Sequence, residues 1–96
     1  MRMTLKVTLP TEAGNKAIKD GTLPQVIEKV SGFIKPEAVY FSTFDGERTA
    51  YFVFDMKDSA DIPSIAEPFF MGLNATCQFS PVMNQHDLQN GLKKLG

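Results

Sequence analysis

Residues 62–83, IPSIAEPFFMGLNATCQFSPVM, decide the fold, because a helix, a tight turn and a strand follow one another within them. Ile62, Ile65, Ala66, Phe69 and Leu73 recur at i, i+3, i+4, i+7 and i+11, the stripe of a helix with one buried face. Asp61 is placed to cap it, and Pro63 sits in the first turn, where a missing N–H is tolerated. Pro68 removes one backbone hydrogen bond in mid-helix and is expected to bend it over a twisted sheet. Phe70 and Met71 then come out at the rim. Gly72 or Asn74 supplies the left-handed stop. Beyond it Cys77 and Phe79 point one way, Thr76, Gln78 and Ser80 the other, and Pro81 suits a strand end.

Working outward, Met3, Leu5, Val7 and Leu9 alternate with Arg2, Thr4, Lys6 and Thr8, which predicts a strand with one apolar and one polar face. Residues 11–19 are predicted to form a helical turn or two, with Ala13, Ala17 and Ile18 available for packing. Asp20-Gly21 stops it. Thr22 and Gln25 have capping-box spacing, and Leu23, Val26, Ile27, Val30 and Ile34 continue a helical stripe up to Lys35-Pro36, so the crossover helix is broken near Gly21. Residues 38–44 and 49–56 are dense in Val, Phe, Tyr and Thr, and Asp45-Gly46 between them is a strong hairpin signal. Val39 and Phe41 share a face with Ala50, Phe52 and Phe54. The opposite faces carry Tyr40, Ser42 and Phe44, then Tyr51 and Val53, more apolar than a solvated surface needs. At the end, Asn84 and Asp87 cap a last helix, Met83 is placed to staple onto Leu88, and Leu88, Leu92 and Leu95 form a narrow seam.

The order is strand, helix, strand, strand, helix, strand and helical tail. It predicts one α+β domain over 1–96, a ferredoxin-like βαββαβ two-layer sandwich with a C-terminal helix over 83–96. Right-handed crossovers give the strand order 4-1-3-2.

A formal net charge of −1 with mixed signs offers no field for a phosphate backbone, so nucleic acid is not an expected partner. The single cysteine cannot form an intrachain disulfide, and no apolar run approaches a signal-peptide core or a membrane span. The expected compartment is the cytoplasm, with no membrane partner.

LPTEAGNKAIKDGTL (9–23), KPEAVYF (35–41), DIPSIAEPFFMGLNA (61–75) and PVM (81–83) resemble a small uncharacterised bacterial family, similar in pattern to the dimeric α/β-barrel branch of ferredoxin-like proteins. The resemblance implies a homodimer in which two sheets pack face to face and cover the Tyr40 and Tyr51 face. It supplies no catalytic residue, and no cofactor is expected. The branch includes cofactor-free monooxygenases, small-molecule isomerases and haem-degrading enzymes, and fold does not choose among them.

Arg2, Lys6, Tyr40, Tyr51 and Gln78 are the best ligand-binding set, because cations and phenols on one sheet face orient an anionic or aromatic small molecule. The same groups also suit a polar dimer interface. Two functions follow: a cytoplasmic homodimer holding a small molecule between facing sheets, or a cofactor-free enzyme, monooxygenase- or isomerase-like, acting on a small aromatic or lactone-like substrate. His86, the sole histidine, is expected to be a solvated first-turn residue, and no second ligand at a recognisable spacing suggests a metal. Cys77 is expected to be a small buried hydrophobe. Glu12 and Asp20 are expected to cap and pair in the polar cluster after the first strand, and Phe69 to be core.

Overall fold

A computed structural model describes residues 1–96. The architecture is α+β. Strand β1 (Arg2–Thr8) leads into helices α1 (Thr11–Asp20) and α2 (Thr22–Ile34). Strands β2 (Ala38–Phe44) and β3 (Glu47–Asp55), helix α3 (Ile62–Leu73), strand β4 (Thr76–Pro81) and helix α4 (Gln85–Lys93) follow. The four strands form one antiparallel sheet in the order β2-β3-β1-β4, the order that right-handed crossovers dictate for a ferredoxin-like chain.

One side of the sheet is sealed by helices. Leu5, Val7 and Phe52 are fully buried, Phe54, Ile65, Phe69 and Leu73 nearly so, and the Phe52 and Phe69 rings meet at 5.8 Å, tilted by 47°. These residues are the alternate positions of β1 and β3 and the stripe of α3, so period 2 and period 3.6 converge on one layer. α2 and α3 approach closely at Gly72, where an added Cβ would come within 3.2 Å of Val26 Cγ2.

Asp45 and Gly46 take φ of 52° and 78°, the paired positive values of a two-residue hairpin turn whose twist matches its strands. At the other end of β2, Glu37 N donates to Val53 O, although Val53 is already opposite Ala38. Two residues therefore face one, and the strand starts on a bulge.

Several local details depart from the sequence expectation. α1 is a full helix of 10 residues, whose Ile18 stays half exposed while Gly14 and Ala17 are buried. Thr22 builds no capping box, since Gly21 at φ 80° both ends α1 and starts α2. Thr22 N instead donates to Asp20 Oδ1 at 2.9 Å. Asp61 caps nothing with its side chain, because a 3-10 turn, Ser59–Asp61, precedes α3 and Asp58 caps that turn through Ala60 N. The left-handed stop of α3 is Asn74 at φ 51°.

The capping box Asn84/Asp87 is fully formed. Yet Leu88, Leu92 and Leu95 remain 45%, 54% and 83% exposed, and Met83 is exposed as well. α4 thus projects from the sheet without covering it. The molecule measures 54 × 27 × 17 Å with a radius of gyration of 15.0 Å, against about 12.5 Å for a compact chain of this length.

Candidate functional site

The helix-free side of the sheet, here the open face, carries the residues that sequence reasoning grouped together. Register places Tyr40 opposite Tyr51, Tyr51 opposite Lys6, and Lys6 opposite Gln78. Four of the five therefore form a single rung across all four strands. The fifth, Arg2, is opposite Asp55, four residues along β1 and about 13 Å away at strand rise.

Arg2 is engaged elsewhere. Its Nε donates to Glu37 Oε1 and its Nη1 to Asp87 Oδ2, both at 2.7 Å. The hydrogen bond to Glu37 is the main reason its pKa is raised. Arg2 ties the start of β2 and the first turn of α4 to the sheet, which is a tethering role.

Lys6 is also committed: its Nζ lies 3.0 Å from the centroid of the Phe44 ring. Lys6 and Phe44 stand on the two strands flanking β3. Thr49, on β3 between them, is the one buried polar residue, 3% exposed, and its hydroxyl donates to Glu47 O. Tyr40 by contrast is 67% exposed and Phe44 45%. None of the four cavities is lined by Tyr40, Tyr51, Lys6 or Gln78. The open face of a single chain is an aromatic-bearing surface, not a pocket.

The concave site lies on the other side of β2 and β3. Under α2, an apolar cavity of about 180 Å³ is walled by Val7, Leu23, Ile27, Ala50 and Phe69, with the exposed Phe41 and Arg48 also on its lining. Arg48 has the same parity along β3 as Ala50, Phe52 and Phe54, so alternation sends it to the helix side. There Nη2 donates to Asn15 Oδ1 at 2.9 Å and Nη1 to Thr11 O at 3.4 Å. Gly14 makes room for it, since a Cβ on Gly14 would stand 2.6 Å from Nη1. Sequence reasoning missed this site. The available signal was a cation in phase with an apolar strand face.

The remaining candidates are local. The His86 imidazole is exposed, with Nε2 3.3 Å from Asn90 Nδ2, and no group of three or more His, Cys, Asp and Glu side chains is gathered to hold a metal. Cys77 is half-buried, and its thiol is pushed up to about 11, first by burial and then by the charge of Glu67. Hydrogen bonds from Thr22 hold the Asp20 carboxyl below its usual value, and Glu12 is exposed in the first turn of α1. Phe69 is core, while Phe70 and Met71 stand at the rim, 43% and 80% exposed. No helix is long and apolar enough to cross a membrane.

Comparison of the chain with protein-family models and with curated proteins returns no match. Its functional reading rests on its own residues.

Proposed function

We propose that the protein is a cytoplasmic homodimer of the dimeric α/β-barrel kind, in which two open faces stack and α4 of each protomer docks on the other. The space between the sheets holds a small molecule against Tyr40, Tyr51, Lys6 and Gln78. The observation that carries this proposal is the leucine seam of α4, exposed at Leu88, Leu92 and Leu95 and left uncovered by its own chain.

Area supports the exchange of helices. Four strands of about seven residues present a projected face of about 440 Å², so two stacked faces bury about 900 Å². A stable dimer needs about 1,200–2,000 Å². A helix of nine residues is about 14 Å long and about 10 Å wide, and two of them docked in trans add about 500 Å². The sum enters the stable range only with α4 included. Arg2 supports the same arrangement, because its bridge to Asp87 fixes where α4 leaves the sheet while freeing the seam beyond it.

The test is native mass spectrometry and light scattering of the full chain, followed by Leu88→Asp with Leu92→Asp. The expected result is a dimer that the double substitution converts to a folded monomer. A wild-type chain that stays monomeric at about 100 μM, where even a weak micromolar dimer forms, overturns the proposal.

A further inference from the structure

We propose that the cavity beneath α2 is a binding site for a small organic monocarboxylate, with the apolar body under the helix and the carboxylate on Arg48. The site belongs to each subunit separately and stands apart from the open face, so it neither needs nor excludes the dimer.

Size sets the apolar part. The cavity of about 180 Å³ compares with about 150 Å³ for an aliphatic and aromatic-lined cavity that stays dry and takes up benzene. A phenyl ring with a one-carbon linker, or an aliphatic chain of similar bulk, fills it. The walls from Leu23, Ile27, Val7, Ala50 and Phe69 offer that body no hydrogen bond, so water inside gains little by staying.

Charge sets the polar part. Arg48 takes part in none of the four salt bridges of the molecule. A guanidinium carries five N–H donors, and only two of those of Arg48 are engaged, one by Asn15 Oδ1 and one by Thr11 O. Both acceptors are neutral, so they hold the planar fork in place and leave its charge uncompensated. That is a pre-oriented partner for a carboxylate, which accepts two parallel N–H bonds from such a fork. Gly14 completes the device: by lacking a Cβ it leaves room for the Arg48 guanidinium against α1. Ser42 and Thr49, also on the lining, stand at open-face positions of β2 and β3 and bring no negative charge to it.

Phenylacetate is the probe, titrated into the isotopically labelled full chain and followed by amide NMR, with neutral phenylacetamide as control. Saturable shifts are expected at Leu23, Ile27, Phe41 and Arg48, together with at least tenfold weaker binding of the amide. Arg48→Gln is expected to weaken phenylacetate by about tenfold or more, the scale of a charge-assisted pair, while leaving phenylacetamide unchanged. Gly14→Ala is expected to weaken phenylacetate too without loss of fold, because only the end of a flexible side chain must move. No saturation by about 10 mM, or equal affinities in wild type and Arg48→Gln, overturns the proposal.

Discussion

The Lys6 ammonium reaches across β3 to sit 3.0 Å from the centre of the Phe44 ring, and Thr49 is buried on the strand between them. A cation over an aromatic face is attracted by the ring quadrupole, about 0.5–1 kcal/mol where solvent has access. Phe44→Ala is therefore expected to cost about 1 kcal/mol, by loss of this attraction and of the ring area. Phe44→Leu should cost less but also uncouple Lys6. In urea denaturation, a double-mutant cycle of Lys6→Met and Phe44→Leu should return a coupling of about 0.5–1 kcal/mol. A coupling of zero would mean that the ammonium gains nothing from the ring.

Two glycines should respond to alanine with opposite signs. Gly21 holds φ at 80°, and a methyl added there would meet nothing within 4 Å, so the whole cost is conformational. Gly21→Ala is expected to lose about 1–2 kcal/mol. Gly32 lies inside α2, with space around it and no positive φ. Gly32→Ala should gain about 0.5–1 kcal/mol through helix propensity. Thermal or urea unfolding of both variants checks the pair, and a common sign would refute the account of the α1–α2 joint.

Cys77 supplies a pH prediction. Its folded pKa, about 11, lies above the ordinary thiol value of 9.0 because burial disfavours the thiolate. The stabilisation of the neutral thiol is thus fully present below about pH 9 and is lost as pH rises through about 11. At about pH 8 the thiolate fraction is about 100-fold smaller than in the unfolded chain. A disulfide thiol reagent should label native protein at least that much more slowly than urea-unfolded protein. Comparable rates would place Cys77 in solvent.

How much of this was legible beforehand depends on the range of the interaction. Met3, Leu5, Val7, Phe52, Phe54 and the stripe through Ile65, Phe69 and Leu73 were readable because period alone assigns a face, and burial follows. The Asp45-Gly46 turn was readable because few residue pairs accept two positive φ values. Caps were less so: Asp61 and Thr22 had suitable chemistry, but a 3-10 turn and a left-handed glycine had already settled those chain paths. Arg2 and Lys6 were assigned to the correct face but not to Glu37, Asp87 and Phe44, partners tens of residues away in sequence. The cavity that Arg48 helps to line depends on Leu23 of α2 and Phe69 of α3 meeting over the sheet, and no local pattern encodes that meeting.

The placement of β1 between β3 and β4 matters during synthesis as well as in the finished molecule. β1 is translated before either neighbour, and its first partner, β3, begins at Glu47. At about 5–20 residues per second, the nascent strand waits several seconds with Met3, Leu5 and Val7 in alternation and no sheet to join. Such a segment invites pairing with other nascent chains unless charge interrupts it. Arg2 and Lys6 stand on the opposite face of that same strand, so each is a gatekeeper of the newborn chain before it becomes a tether or a ring-bound cation.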